Sequence, residues 1–116
     1  MMKVYGIKSC GSVKKALNFL KSHEIVFEFI DFKVTPVDEA KIKEWLENVS
    51  MERLLNTKGT TYRTLKLKEM NLNDEQKIEW MAKANNLIKR PVIEYDGGLE
   101  VGFDEAVYSS VFCNFS

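Results

Sequence analysis

The first 32 residues change hydrophobic period twice, and this change constrains the fold more than any other feature of the chain. Lys3–Ile7 is a β-branched and aromatic run that predicts a buried strand, followed by a polar turn. From Ser12 the apolar residues recur at helical spacing, in Val13, Ala16, Leu17 and Leu20. Ile25–Phe32 then predicts a second strand. A strand, a helix and a strand in so short a stretch indicate a βαβ unit.

The middle of the chain is predominantly helical by the same criterion. Thr35–Asp38 predicts a helix start, with Thr35 as the cap and Pro36 in the first helical position. After a polar loop, residues 62–70 predict a further helix with Leu65 facing inward.

The last part of the chain returns to strands. Val92–Tyr95 predicts a strand that directly follows a proline, and Leu99–Phe103 predicts its antiparallel neighbour. The Asp96–Gly98 segment between them is a strong hairpin signal. Asp104 then opens a final helix.

Length and composition fit one folded domain. The chain has 116 residues, of which 45% are hydrophobic and 29% charged, as is usual for a globular protein. Together with the order of elements, this predicts a single α/β domain over residues 1–116. Its sheet is mixed, and a helical insertion spans about residues 36–87.

The charge balance argues against a nucleic-acid-binding protein. Lysine and arginine number 17, as do aspartate and glutamate, whereas a surface that follows phosphates needs clustered cations. No run approaches the ~20 apolar residues of a membrane span, and the N-terminal residues lack the apolar core of a signal peptide. We therefore expect a cytoplasmic protein that contacts neither nucleic acid nor membrane.

The cysteine count limits the chemistry further. Structural disulfides are rare in the cytoplasm, so Cys10 and Cys113 are expected to be thiols. Two cysteines beside one histidine are a poor set of zinc ligands, and no metal site is expected.

Cys10 lies between the first predicted strand and the helix that begins near Gly11. A thiol in this position faces the free amide N–H groups of the first turn, those of Gly11 and Ser12 included, and the positive end of the helix dipole. Both favour a thiolate, and Lys8 acts in the same direction if it points that way. A small buried cysteine in a turn is the alternative, but the polar neighbours of Cys10 favour a reactive thiol.

Val13 stands where the second cysteine of a C-x-x-C motif would be, so Cys10 cannot close a local disulfide. An oxidised Cys10 has to be resolved by another thiol, which belongs to a small molecule, another protein or the distant Cys113. Cys113 lies near the end of the sequence, and we interpret it as a half-buried cysteine without a role.

Arg90 and Pro91 open the third predicted strand. A strand start tolerates proline, so the pair can be purely structural. The guanidinium of Arg90 can also bind an anionic group through two parallel hydrogen bonds. Because Cys10 and Arg90 would both lie at strand ends of one sheet, we predict that they share a site.

The whole chain resembles the arsenate-reductase-like (ArsC/Spx/YffB) group of thioredoxin-fold proteins. The resemblance is carried by Val4–Cys10 with Lys14–Ala16, Leu54–Arg63, Leu87–Val92 and Val101–Phe103. It implies a thioredoxin- or glutaredoxin-like mixed sheet of four strands with a helical insertion. It also implies that Cys10 is the redox nucleophile and that Pro91 is cis and faces it.

The resemblance also distinguishes branches of the group. Arsenate reductases of this family place three arginines around the oxyanion; Arg90 matches one, whereas Asn56 and Phe103 stand at the other two positions. Lys58 is nearby as a substitute for the first of these. Loss of bidentate donors weakens oxyanion binding. The segment Leu54–Arg63 looks more like YffB, a group suspected of glutathione-dependent thiol reduction.

The leading hypothesis is a single-cysteine thiol-disulfide oxidoreductase with no bound cofactor, in which Cys10 forms a mixed disulfide that glutathione resolves. Arg90 and Lys58 would hold a carboxylate of glutathione or another anionic substrate. The second hypothesis is an arsenate reductase that uses Cys10 with glutathione and glutaredoxin. The third is a Spx-like regulator that binds the RNA polymerase α subunit, although such regulators usually carry the dithiol that Val13 removes. A family member without activity is the fourth.

Overall fold

The computed structural model describes residues 2–113. Its strands and helices are, in chain order, β1 Met2–Gly6, α1 Gly11–Ser22, β2 Phe27–Asp31, α2 Glu39–Leu46, α3 Met51–Leu54, α4 Thr60–Thr64, α5 Asp74–Lys83, β3 Val92–Tyr95, β4 Gly98–Val101 and α6 Glu105–Phe112. The strands form one sheet in the order β2-β1-β3-β4. β1 is parallel to β2 and antiparallel to β3, which is antiparallel to β4. The predicted α/β class with a mixed four-stranded sheet is confirmed.

The chain divides into two compact units. The sheet unit contains the residues up to Asp31 and those from Arg90 onward, and the helical unit is Phe32–Lys89. The insertion predicted at about residues 36–87 falls within the helical unit. The assignment of the whole chain to one domain stays a prediction.

The core of the sheet unit lies on one face of the sheet, beneath α1 and α6. Val4 of β1 and Ile93 of β3 are register partners, and both belong to this core. Its buried members are Val4, Ala16, Phe19, Leu20, Ile93, Tyr108 and Phe112. Full burial of a large apolar side chain contributes ~1.5–3 kcal/mol, so this cluster holds both helices firmly on the sheet.

The first turn of α1 approaches the end of β1 very closely. A Cβ atom at Gly6 would lie 2.6 Å from Cγ2 of Val13. Val13 is fully buried, and a β-branched side chain in a helix has little rotamer freedom with which to move away. Glycine at position 6 therefore allows α1 to begin as close to the sheet as it does.

The helical unit begins its first helix later than the sequence indicates. Asp38 is the cap of α2, because its carboxylate accepts a hydrogen bond of 3.0 Å from the backbone N–H of Lys41. The predicted cap Thr35 and first-turn Pro36 are wrong, since both precede the helix and are exposed. Aspartate is a stronger N-cap than threonine, which accounts for the difference.

The predicted helix over residues 62–70 is also wrong. α4 ends at Thr64, and Lys66 adopts a left-handed conformation with φ 55° before a 3-10 turn at Leu67–Met70. This break shifts the direction of the side chains that follow. Leu65 is consequently 37% exposed, whereas Leu67 is buried.

The second half of the sheet unit follows its sequence signals. Gly97 has φ +109°, a conformation that favours glycine, in the turn between β3 and β4. Asp104 caps α6 by accepting hydrogen bonds from the backbone N–H groups of Ala106 and Val107. The hairpin and the start of the last helix are confirmed.

Gly6→Ala should lower the free energy of unfolding by ~1–3 kcal/mol, because the new methyl group overlaps Val13. Urea denaturation measures this loss. Adding Val13→Ala removes the overlap, so the double variant should lose less stability than the sum of the single variants. Gly11→Ala is the control, since a Cβ there would have no contact within 4 Å apart from its chain neighbours and the backbone of its own helix. Equal losses at positions 6 and 11 would contradict the packing described.

Candidate functional site

Cys10 is the N-cap residue of α1. Its backbone N–H donates to the carbonyl of Ile7 at 3.2 Å, which closes the turn after β1, and its carbonyl accepts from Lys14 N–H at 3.0 Å. The side chain makes no capping hydrogen bond, and the first turn of α1 contains no acidic residue. The half-buried thiol is therefore next to the positive end of a helix with no carboxylate of that turn to neutralise it.

Gly11 and Ser12 occupy the first two positions of α1, as predicted, and both are exposed. Amide groups at these positions belong to the first turn, whose N–H groups have no partner within the helix. Lys8 is exposed in the turn that leads to Cys10. The roles proposed for these three residues stay predictions.

Antiparallel pairing places Arg90 and Pro91 at the edge of the sheet where β1 ends. Tyr5 and Val92 are register partners, so the residues that precede Val92 lie next to those that follow Tyr5. Cys10 leaves the sheet at this same edge. The Arg90–Pro91 peptide bond is cis, as the resemblance implies; Pro91 is buried and Arg90 half-buried. This register puts both residues at the same end of the sheet, and their sharing of one site stays a prediction.

Gly102 and Tyr108 hold the Pro91 segment, although neither residue is predicted as part of the site from its sequence pattern. The backbone N–H of Gly102 donates to the carbonyl of Pro91 at 2.8 Å. The carbonyl of Gly102 in turn accepts a hydrogen bond of 2.6 Å from the Tyr108 hydroxyl, within the buried core. The aromatic spacing of Tyr108 and Phe112 along α6 signals packing, but no pattern reveals that a hydroxyl reaches back to position 102.

Burial raises the pKa of Tyr108, and the negative charge of Glu100 adds to this effect. The hydroxyl therefore keeps its proton and acts as a donor to Gly102.

Phe103 packs into an aromatic cluster. Its ring centroid lies 5.0 Å from that of Tyr108 and 6.5 Å from that of Phe19, in edge-to-face arrangements. Edge-to-face pairs at such distances are favourable beyond the area they bury. Position 103 thus contributes an apolar ring to the core.

Lys58 belongs to the helical unit. It is exposed in a short loop between α3 and α4, which is anchored by a 2.8 Å hydrogen bond from Asn56 N–H to the Leu87 carbonyl and by the Leu55–Ile88 bridge. The prediction that Lys58 assists Arg90 stays a prediction.

Cys113 lies toward the opposite edge of the sheet from Cys10. α6 starts near Gly102 at the Pro91 end of β3, and Phe112 in its last turn packs on Tyr95 at the other end of that strand, with ring centroids 5.1 Å apart. Cys113 follows Phe112 directly and packs against the core. The four residues of β3 span about 13 Å, so the fold keeps the two thiols well apart.

Residues 2–113 contain no group of three or more His, Cys, Asp or Glu side chains that could hold a metal ion. No helix within those residues is both long and apolar enough to cross a membrane.

The sequence matches the model of the ArsC family over residues 5–111. An uncharacterized protein of Haemophilus influenzae is 35% identical over 113 residues, which cover 97% of this chain and 99% of the relative. Global transcriptional regulator Spx of Listeria innocua is 28% identical, with 90% of this chain and 82% of the relative covered.

Solved structures of related proteins have the same fold as this chain. The YFFB protein superposes with a TM-score of 0.89 at 33% identity, covering 95% of this chain and 97% of its own. An arsenate reductase (ArsC) related protein from Brucella melitensis has a TM-score of 0.76 at 38% identity, with 96% and 93% covered. The thioredoxin-like fold that the resemblance implies is confirmed.

Val13→Cys should create an internal disulfide with Cys10, because an N-cap residue and the third residue of the helix lie about one turn apart. Cysteine is smaller than valine and fits beside Gly6. Diamide treatment followed by intact-mass measurement should show a loss of two hydrogen atoms in this variant. The unsubstituted protein has its thiols at opposite edges and should show no internal disulfide; a Cys10–Cys113 bond in the folded monomer would contradict the placement of Cys113.

Proposed function

The chain belongs to the ArsC family, and from that membership we propose that it is a single-cysteine thiol-disulfide oxidoreductase that depends on glutathione. The observation that carries the proposal is the position of Cys10, which caps α1 at the sheet edge where Arg90 and Pro91 also lie. Cys10 follows β1 and Arg90 precedes β3, and these two strands pair, so the proposal puts a nucleophile and a cation at the same end of the sheet. A cytoplasmic location, where glutathione is abundant, fits this activity.

The first chemical step is a thiol-disulfide exchange at Cys10. The Cys10 thiolate attacks one sulfur of a substrate disulfide that contains glutathione; a new sulfur–sulfur bond forms, and the old one breaks. The departing thiolate takes the electron pair and then a proton from water. Cys10 is the N-cap residue of α1, so the positive end of the helix dipole lies beside the attacking sulfur.

The second step needs a thiol from outside the molecule. Val13 provides no sulfur, and Cys113 lies toward the far edge of the sheet. A glutathione thiolate therefore attacks the glutathione sulfur of the mixed disulfide. Oxidised glutathione leaves, and the Cys10 thiolate is regenerated. Each turnover consumes one free glutathione, converts one glutathione-containing substrate disulfide to its thiol and releases one oxidised glutathione.

Arg90 supplies the binding group for glutathione. The carboxylates of glutathione are well suited to a guanidinium, which binds a carboxylate through two parallel charge-assisted hydrogen bonds. Lys58 is proposed as a second, weaker contact, because an ammonium acts as a point charge.

An arsenate reductase is the less favoured alternative. The Brucella melitensis relative is described as related to arsenate reductase, which keeps this chemistry within the family. Phe103 argues against it here, because its ring packs on Tyr108 in the core and gives no donor for an oxyanion. Asn56 is likewise no substitute for a guanidinium.

Incubation with oxidised glutathione should place one glutathione on Cys10, as measured by intact mass and peptide mapping. Cys10→Ser should abolish the adduct, and Cys113→Ser, the matched control, should retain it. An adduct confined to Cys113 would overturn the proposal. Arsenate-dependent consumption of NADPH, with glutathione, glutaredoxin and glutathione reductase present, would favour the arsenate alternative. Specific capture of the RNA polymerase α subunit by a protein that forms no adduct would favour a Spx-like regulator.

Arg90→Ala should slow the reaction of Cys10 with oxidised glutathione by about tenfold or more, the factor that loss of a charged hydrogen bond of ~1.5–3 kcal/mol produces. Reaction with iodoacetamide, which is neutral and needs no guanidinium, should change less than about twofold. Lys58→Ala should have a smaller effect in the same direction. Lys21→Ala removes an exposed cation from the last turn of α1 and is the control. Equal slowing with both reagents would show that Arg90 does not bind glutathione.

A further inference from the structure

A chain of two hydrogen bonds leads from α6 to the segment beside Cys10. The Tyr108 hydroxyl donates to the Gly102 carbonyl at 2.6 Å, and the Gly102 N–H donates to the Pro91 carbonyl at 2.8 Å. Tyr108 is 1% exposed, so the first of these bonds lies beyond the reach of solvent. Gly102 has φ +82°, in the region that favours glycine, so this link is made through a backbone conformation that other residues rarely adopt.

The ring of Tyr108 is fixed independently of its hydroxyl. It packs edge-to-face on Phe19, Phe103 and Phe112, with centroid distances of 5.5, 5.0 and 5.1 Å. These contacts require only the phenyl ring, and phenylalanine would satisfy them. The hydroxyl is thus not needed for the packing of the ring. Its hydrogen bond goes to Gly102, the residue whose N–H binds the Pro91 carbonyl.

We propose that Tyr108 is a positioning residue for the Cys10 site, whose hydroxyl holds the Arg90–Pro91 segment in place through Gly102. The proposal rests on the function proposed above for Cys10 and Arg90. Tyr108 itself does not touch the substrate. It restricts the segment from which Arg90 projects, so that the guanidinium is already placed when glutathione arrives.

A structural role for Tyr108 makes a different prediction. If the hydroxyl only stabilised the core, its loss would loosen the sheet unit as a whole. Cys113 also packs against that core, and its reactivity would then rise together with that of Cys10. A positioning role affects only the reaction that depends on Arg90.

Tyr108→Phe removes the hydroxyl and keeps the ring. We expect the reaction of Cys10 with oxidised glutathione to slow by about three- to tenfold, the range that one neutral hydrogen bond supplies. Alkylation of Cys10 and of Cys113 by iodoacetamide should each stay within about twofold of the unsubstituted protein. Tyr95→Phe is the matched control, because Tyr95 also packs edge-to-face on Phe112 but lies at the other end of β3. It should leave all three rates unchanged.

Amide hydrogen exchange gives a second measurement that does not depend on any activity. The Gly102 N–H should exchange faster in Tyr108→Phe than in Tyr95→Phe, because its bond to Pro91 is no longer supported by the bond from Tyr108.

The outcomes separate this proposal from the function on which it rests. An unchanged glutathione rate in Tyr108→Phe, or slowing by Tyr95→Phe to the same extent, overturns the positioning role alone. Increased alkylation of Cys113 in Tyr108→Phe also overturns it, in favour of a structural role. If the unsubstituted protein forms no adduct at Cys10, or Arg90→Ala leaves the glutathione rate unchanged, the proposed function fails and the positioning role fails with it.

Discussion

The close contact between Gly6 and Val13 sets the geometry on which the rest of the site depends. It lets the first turn of α1 pack directly on the end of β1, and it therefore decides where the N-cap residue stands. The hydrophobic core beneath α1 and α6 holds the rest of α1 on the sheet. A helix displaced by the width of one methyl group would carry Cys10 away from the edge at which Pro91 and Arg90 lie. The close packing at Gly6 thus fixes the position of Cys10, and the electrostatic environment of the thiol depends on that position.

Elements with strong local signals were predictable from the sequence. The strand Val92–Tyr95 and its glycine turn lie where the pattern indicates, since β-branched and aromatic residues favour strands and an Asp-Gly pair favours a tight hairpin turn. The helical unit was less predictable. Asp38 and Thr35 both have capping side chains, and their order of strength decides between them only once the chain path is known. The left-handed Lys66 has no clear sequence signal, because lysine is not among the non-glycine residues enriched in this conformation.

Some residues of the candidate site were likewise predictable from the sequence, and others were not. Cys10 at a helix start follows from the change in periodicity, and Arg90 follows from its place before a strand. The link between Tyr108 and Gly102 joins residues whose side chain and carbonyl meet only after β4 and α6 have packed. Spacing along a helix reveals which residues share a face, but it does not reveal where a terminal hydroxyl ends. A hydrogen bond of this kind depends on where the folded chain puts a backbone carbonyl, so it cannot be predicted from the pattern of residue types.

The separation of the two thiols across the sheet has a kinetic consequence. In the proposed reaction no thiol of the same molecule can reduce the mixed disulfide at Cys10. The lifetime of this mixed disulfide therefore varies inversely with the concentration of free thiol in solution. In a dithiol enzyme the second cysteine reduces the mixed disulfide at a rate fixed by the geometry of the protein. In this fold the rate of that reduction depends on external thiol, so the fraction of protein in the mixed-disulfide form reports the thiol concentration of the compartment that contains it.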